Sequence, residues 1–577
     1  MTNISTGSAF RFLSAASLLI TVVALMAGQV GAAEFTVGSG TGCSSNSIPG
    51  ALLLSALNGP GLDIIKIAGN QSYTAQHIVI SNQSVSLIGG YSSCTDPTGG
   101  GQTVISGAGG SVNPVVEISG TANGTRSVEL VNMEISGGEE GGVVVSGANL
   151  VSIQDCLITD NQRGDGGGIH LDGADGAVLT IADDAAVIAN TATNPSSKGG
   201  GIYCQNGGII ILEGLVAGNS GWFGGGVFMS DCTMNDFAGG ALRGIVGNTG
   251  TIGGGIFAAA SSAVNLSGNS EHPAIVSSNL ASFKGGGVWI QNGSSLTVRD
   301  SWIVDNDAGE LAGGVGLSQD STLIMDRTYG GDCHTADRCS KLSGNWVTGS
   351  PNQGGALFVE AGCVADIRQT YLEGNQALFG SAAWVEGVGA QLLLEGDVLA
   401  GNHGESVIYQ MDQAVVRAAF VTSSRNTASG SGASFYTNAS VDTTTEIYSS
   451  IIDDPLVWGG LGGGSHTYDC MIVRSGFGLP TPGGYVLEAD PLFRDPVVWD
   501  FHLSLASPAI DYCDTFLYSP TEADIDGQPR GEDLASVANN LGPYDLGADE
   551  WSDDPASVIF ADGFESGDTS VWTEVSP

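Results

Sequence analysis

Apolar residues in this chain come in runs of three to five, alternating or continuous, separated by clusters of Gly, Asn, Asp and Ser. Between Asn161 and Asn426 the separators themselves recur: a hydrophobic residue, two others, Asn, a few variable residues, then a glycine run. LITDNQRGDGGGIH, LVAGNSGWFGGGVF and IVSSNLASFKGGGVW are three of the copies. The asparagines are Asn161, Asn190, Asn219, Asn248, Asn279, Asn306, Asn345, Asn375, Asn402 and Asn426. Most steps between them fall from 27 to 31 residues, with one of 39 and a last of 24. A fixed period of this size marks a stacked repeat array rather than a domain with a one-off core.

One repeat parses into three short strands: Val288-Trp289-Ile290, Leu296-Thr297-Val298 and Trp302-Ile303-Val304, each bounded by turn residues. A strand rises ~3.3 Å per residue, so three strands with tight corners close one coil, and coils stacked ~4.8 Å apart satisfy each other's backbone groups. The fold expected is all-β, a single-chain right-handed parallel β-helix with three strands per coil and about 15 coils. Asn at the corner tolerates a left-handed backbone, and identical amides in register can form a hydrogen-bonded ladder. The residue three before each Asn is apolar and points inward: Ile158, Val187, Val216, Ile245, Val276, Ile303, Leu342, Leu372 and Leu399. Ser423 is the exception. The glycine runs precede strands and lack a following Lys-Ser or Lys-Thr, so they read as corners rather than phosphate loops.

The hydrophobic-x-x-Asn and Gly-Gly-hydrophobic elements resemble the repeat of the polymorphic outer membrane proteins, usually Phe-x-x-Asn with Gly-Gly-Ala/Ile/Leu/Val. Aliphatic residues stand here where that family prefers Phe. The resemblance covers about 161–426 and implies a surface β-helix with an adhesive role.

Residues 1–33 read as a secretory signal: one charge, Arg11, then SLLITVVALMAG and the small-residue end QVGAA. Residues 34–77 read as an N-terminal cap with a short helix at IPGALLLSALN, and 78–489 as the β-helix, regular over 158–426. Residues 490–551 read as terminal coils and a C-terminal cap, and 552–577 as a linker and short tail. Four motifs in order, Asp490 to Phe493, Ser507 to Asp511, Asp526 to Arg530 and Asp545 to Glu550, resemble the end of the bacterial choice-of-anchor type Q domain. That resemblance implies an exported, surface-associated protein. The tail FADGFESGD resembles a short terminus recurring in secreted bacterial proteins, and no alternating strand series of a membrane barrel is visible.

The chain carries 60 acidic and 17 basic residues, a formal charge of -43. Such a surface excludes nucleic acid and anionic lipid as natural partners. It either attracts cations, Ca²⁺ above all, or keeps a Gly-rich rod soluble. Apart from Ca²⁺ no cofactor is implied. The mature chain is expected to have no membrane span, to act as a monomer in the medium or on the outer cell surface, and to meet glycans or other cell-surface components. Ten cysteines in an exported chain suggest disulfides: Cys43 with Cys94, Cys333 with Cys339, and Cys470 with Cys513. Cys156, Cys204, Cys232 and Cys363 are left for the buried stack.

Two readings of function follow. The first is a binding, adhesive or structural rod. The second is a Ca²⁺-dependent polyuronate lyase, which needs carboxylates to hold the cation and an Arg or Lys to take a proton. Asp160, Arg163 and Asp165 at one turn, and Arg299 with Asp300, Asp305 and Asp307 at another, are the groups that could serve. The adjacent pairs Asp183-Asp184 and Asp453-Asp454 read as solvated turn residues, and His403 stands without the upstream motifs of a polygalacturonase. The aromatics Trp222, Phe223, Phe283, Trp289, Trp302, Trp346, Phe379 and Trp384 form either an exposed sugar-stacking row or a covered one.

Overall fold

The computed structural model describes residues 32–551, apart from 97–100, 111, 121–123, 183, 238–242, 270–271, 329–338, 439–441, 461–463, 475–478, 480–483 and 515–522. The signal segment up to residue 31, the terminal tail, Asp183 and Cys333 therefore lie outside the described residues.

A single coil shows how the sequence makes the fold. Val178–Ile181 and Ala186–Ile188 run along two adjoining sides, a two-residue strand Thr191–Ala192 follows the Asn190 corner, and Ile202–Gln205 closes the turn. Each strand pairs in parallel with its counterpart one coil on: Val178 with Ile209, Ala186 with Leu215, Ile202 with Val227. The closing strands make one 14-stranded parallel sheet, and the other two sides merge into a 29-stranded network. With one closing strand per turn the right-handed solenoid has about 14 turns, close to the 15 expected. Inward residues of all sides form one continuous core, including each apolar residue three before the ladder Asn from Ile158 to Leu399, at 0–1 % exposure.

The helix α1, Ile48–Asn58, blocks the first coil. Ser47 caps it by accepting from the Gly50 N–H at 3.3 Å, and Gly59 at φ 104° ends it. Ile48, Ala51 and Leu52 pack into the core beside Val37 and Ile65. Without this lid the first coil would present a bare apolar end and an unpaired edge.

The other end differs from expectation. Residues 490–551 read as terminal coils and a C-terminal cap, but among the described residues the last strand in the stack is Val486–Glu488. Beyond it, Phe493–Asp495 and Asp500–Leu503 form a separate antiparallel pair, and the segment turns back along the flank. The reason lies in the row that faces outward there: Tyr371, Val398, Thr422, Ile451, Ile472 and Leu487 are successive register partners. This row is largely apolar and needs cover. Phe501, Ile525 and Ala548 pack on Tyr371 and Val398, while Leu503, Ile510 and Leu546 pack on Ile451 and Ile472. Backbone N–H groups of Ala548 and Gly547 donate to Thr422 Oγ1 and the Ser449 carbonyl, both at 2.9 Å.

Cys43–Cys94 and Cys470–Cys513 are disulfide-bonded. Cys339 is also in a disulfide, although the partner expected for it, Cys333, is outside the described residues. Cys156 and Cys363 are free and buried. Cys204 and Cys232, expected as buried thiols, instead bond to each other and staple one coil to the next. Their 28-residue spacing matches a repeat length, which brings the two side chains into neighbouring layers. Closing a loop of this size contributes about 3 kcal/mol by the chain-entropy estimate. The double variant Cys204→Ala, Cys232→Ala is therefore expected to lose that much in denaturant unfolding, with the other disulfides intact.

One core position carries the wrong chemistry. Asp236 is the register partner of Leu212 and Leu266, both fully buried, and is itself 2 % exposed. Its Oδ2 has no hydrogen-bond partner among the described residues. Burial pushes the carboxyl up to about 7, against the pull of Arg243. A folded-state value above the unfolded one means that the native state holds the proton longer. Stability then falls as pH rises from about 4 to about 7, and the full cost remains above that window. Asp236→Leu should raise stability at pH 8 by on the order of 3 kcal/mol and make the slope in that window shallower. Urea midpoints at pH 5 and pH 8 check both statements.

Candidate functional site

Three arrangements deserve comparison as places where the chain could act: the Asn corner, the outward face of the 14-stranded sheet, and the C-terminal segment.

At the corner, each Asn side chain bridges two coils. Asn248 Nδ2 and its own backbone N–H both donate to Asn279 Oδ1, at 3.0 and 2.9 Å, and Asn279 repeats this toward Asn306 at 3.0 Å for both. Each Nδ2 also donates to a core-strand carbonyl, Val216 for Asn248 and Ile245 for Asn279. The ladder runs through Asn161, Asn190, Asn219, Asn248, Asn279, Asn306, Asn345, Asn375, Asn402 and Asn426. The left-handed residue is not the Asn but the one before it: Asp160, Ala189, Gly218, Gly247, Ser278, Asp305, Gly344, Gly374, Gly401 and Arg425 all have φ between 54° and 64°. Asn is thus required for its amide, and the backbone strain falls on a neighbour that is often Gly. Beyond Asn426 the next rung is Asp454, which accepts from Asn426 N at 3.0 Å, Asn426 Nδ2 at 2.9 Å, Ser423 Oγ at 2.6 Å and Ser434 Oγ at 2.9 Å. Asp453 and Asp454, expected to be solvated, are 9 % and 3 % exposed. The carboxylate ends the ladder because four donors converge there, and Ser423 breaks the apolar rule to supply one of them. This polar terminus is structural.

On the outward face of the closing sheet, successive register partners are Glu117, Val144, His170, Tyr203, Phe228, Phe257, Trp289, Gly316, Phe358, Trp384, Tyr409 and Tyr436. The rings stack along the rod: Tyr203 on Phe228 at 5.4 Å, Phe228 on Phe257 at 5.3 Å, Trp384 on Tyr409 at 4.1 Å. Phe223, Ile252, Leu311 and Phe379, from the loops before the glycine corners, fold over the stack. Trp289 and Trp384 are therefore buried, which rules out an open aromatic platform along this face. Only Trp222 and Trp346 of the eight aromatics considered stand largely exposed, at 47 % and 50 %.

Where the stack stops, the surface turns polar. Arg163, on the two-residue strand Gln162–Arg163, lies among Glu140, Asp165 and Glu117, with Tyr203 nearby. Partial burial lowers its guanidinium, and the three carboxylates oppose that. His170 donates from Nδ1 to the Asp165 carbonyl at 3.2 Å and lies 4.7 Å from the Tyr203 ring. Burial and Arg163 both push His170 down, which favours neutral imidazole. Tyr203 donates to Gln205 Oε1 at 2.6 Å, and Gln205 and Asn206 in turn donate to Asp172. Asp165 Oδ1 is fixed by the Lys198 N–H at 2.9 Å. The corner thus sets one guanidinium among three carboxylates, with a neutral imidazole, His170, beside them.

The structure thus joins Arg163 and Asp165 and places the rest apart. Asp160 is exposed in the left-handed turn before Asn161 and accepts from the Thr159 hydroxyl. Arg299 lies on a different side of the solenoid, paired with Asp326 at 3.0 Å. Asp300 is buried and accepts from the Thr328 N–H. His170 and Tyr203 were not singled out from the sequence, because only the coil register puts them beside Arg163.

The C-terminal segment gathers its four motifs into one network of carboxylates and backbone N–H groups. Asp545 Oδ1 accepts from Asp511 N at 2.7 Å, and Asp524 Oδ2 from Glu550 N at 2.9 Å. Glu550 Oε1 accepts from Gly531 N at 2.6 Å, and Ser507 Oγ donates to the Pro491 carbonyl at 2.6 Å. Arg530 donates to the Ala548 carbonyl and stacks on Phe420. At its inner edge His502 contacts Asp500 through Nδ1 at 2.5 Å and Asp526 through Nε2 at 2.6 Å. Burial alone would lower this imidazole, but the two carboxylates outweigh it and hold the ring protonated, up to about 11.

The coil register, the parallel sheets and the inward apolar columns agree with a match to the family described as "Right handed beta helix region", which covers residues 64–376, more than half of the chain. The chain belongs to the right-handed β-helix family. No curated protein and no solved structure matches it. Among the described residues no helix of this β-helix protein is long and apolar enough to cross a membrane. Membership fixes the scaffold, while function must be argued from its sites.

Proposed function

We propose that this β-helix protein is an exported bacterial surface or extracellular protein with a binding, adhesive or structural role, acting as a monomer in the medium or on the outer cell surface. The observation that carries this reading is the in-register outward row Ser152, Thr180, Ile211, Asn235, Asn265 and Thr297. It offers one mainly polar side chain per coil on a rigid lattice. Strands repeat at ~4.8 Å, so a partner with its own repeat meets many weak contacts at once and binds by avidity. The signal-like start, the likeness to polymorphic outer membrane protein repeats and the choice-of-anchor type Q-like end support export and surface location. Cell-surface glycans suit the row chemically, because hydroxyl and amide side chains pair with sugar hydroxyls. The test is binding of the full chain to neutral and acidic polysaccharides with and without Ca²⁺. Replacing Asn235, Asn265 and Thr297 together by Glu should weaken polymer binding at least tenfold.

A second reading has its own observation. Arg163 among Glu117, Glu140 and Asp165, beside His170, is the grouping that a Ca²⁺-dependent lyase for acidic glycans would need. The test is ultraviolet absorbance of unsaturated uronate from pectate or alginate. Ca²⁺-dependent product that disappears in both Arg163→Ala and His170→Ala would replace the first reading with this one. Absence of product from the folded protein on both polymers would remove it.

A further inference from the structure

We infer that the C-terminal segment holds a divalent transition-metal site built from His502, Asp526 and Asp549. One potential ligand atom from each residue lies within 4.8 Å of the others, and all three residues are buried. They come from three of the segment's pieces: the strand Asp500–Leu503, the Asp526 to Arg530 motif and the Asp545 to Glu550 motif. One ion would therefore cross-link what the hydrogen bonds already bring together.

The second observation concerns Asp549. It is 6 % exposed, and Oδ2 accepts from the Leu503 N–H at 2.8 Å. Its other oxygen takes no hydrogen bond from any described residue. That oxygen is open to an incoming ion while the backbone N–H of Leu503 holds Oδ2 in place. Asp500 and Asp524 sit in the same pocket of charge, Asp500 on His502 Nδ1 and Asp524 close enough to influence Asp549. The set has the composition of a metal centre in which an outer carboxylate orients the ligating imidazole.

The donor set selects the metal. One imidazole nitrogen and two carboxylates suit Mn²⁺ or Zn²⁺, whereas Ca²⁺ prefers an all-oxygen shell of higher coordination number. Binding replaces a proton: His502 Nε2 gives up the hydrogen that it shares with Asp526, the freed lone pair goes to the metal, and the proton leaves to solvent. Asp500 keeps its bond to Nδ1 and fixes the tautomer.

The experiment uses the full chain, stripped with chelator and desalted, titrated with Mn²⁺ and separately with Zn²⁺ by calorimetry at 0.3 M salt in two buffers of different ionisation enthalpy. The expected result is one ion per chain at micromolar affinity with about one proton released, and at least a hundredfold weaker binding in Asp549→Asn. Ca²⁺ at tenfold excess should not compete. Asp490→Asn, outside the proposed ligand set, serves as the control and should bind as the parent does. Multiple weak sites that saturate only at millimolar metal and persist in Asp549→Asn would assign binding to the acidic surface and overturn the proposal. So would no heat and no proton release in the parent chain. If Asp549→Asn fails to fold by circular dichroism, His502→Gln takes its place, and the stoichiometry of the parent decides the matter by itself.

Discussion

Asn279→Ala should cost about 4 kcal/mol, one of the two largest single-residue losses expected in the chain. The side chain is fully enclosed at the corner, at 1 % exposure. Its Oδ1 is the acceptor for both the backbone N–H and Nδ2 of Asn248, and its Nδ2 serves the Ile245 carbonyl and Asn306 Oδ1. Truncation leaves a buried N–H, an amide hydrogen and a core carbonyl without partners, each with a desolvation penalty of about 1–3 kcal/mol. The loss should be local because each coil touches mainly its neighbours. Hydrogen exchange is expected to accelerate in the coils containing Asn248, Asn279 and Asn306 while distant coils keep their protection. Asn279→Asp should fare little better, since an acid accepts where the lattice needs a donor to Ile245.

Gly225→Ala should be as damaging for a different reason. A Cβ there would stand 2.3 Å from the Thr249 carbonyl oxygen, 2.5 Å from its carbon and 2.6 Å from the Gly254 oxygen, all backbone of the next coil. No rotamer change relieves a backbone clash, so the coils must separate. The expected loss is about 4 kcal/mol or more. Gly218→Ala supplies the control. That glycine has φ 61° and nothing within 4 Å of an added Cβ, so only left-handed strain applies, about 1 kcal/mol. Denaturant midpoints of the two variants should therefore separate clearly, although both replace a glycine in the same coil by the same residue.

These two positions also show what the sequence made legible. A period near 29 residues with an Asn and a glycine run in each copy is enough to specify stacked coils, because stacking is the arrangement that gives identical residues identical surroundings. The inward residue of each corner followed from spacing alone. The role of the Asn backbone did not. Left-handed geometry falls one residue earlier, where Asp160, Ala189 and Ser278 show that the position tolerates several residue types. The Cys204–Cys232 bond was hidden because two cysteines one repeat apart look equally suited to a buried stack. Asp454 was hidden because a carboxylate in an Asp-Asp pair usually marks a solvated turn, and only three-dimensional register shows it replacing the next Asn.

The candidate site was legible in part. Arg163 and Asp165 could be chosen because they share a turn, whereas His170 and Tyr203 enter through pairing of strands 33 positions apart. Arg299 looked equivalent to Arg163 in sequence, yet the fold places it on another face with Asp326. At the C-terminal end the four motifs were visible as text, but their mutual hydrogen bonding and the flank they cover depend on the outward apolar row that begins near Tyr371. That row could not be told from a buried one by alternation alone, since strands such as Val398–Ala400 and the end of Thr444–Ile452 are apolar on both faces.

The most direct test of the binding account is the dependence of affinity on ligand length. Full-length protein would be titrated with one cell-surface polysaccharide and with its purified fragments from disaccharide to polymer, in 1 mM Ca²⁺, by biolayer interferometry. Avidity along an in-register row predicts that affinity climbs steadily with length, by at least a hundredfold from short fragment to polymer, and falls when Asn235, Asn265 and Thr297 become Glu. A short oligosaccharide that binds as tightly as the polymer, or a polymer that is shortened during the titration, would contradict the rod account and point to a single enclosed site instead.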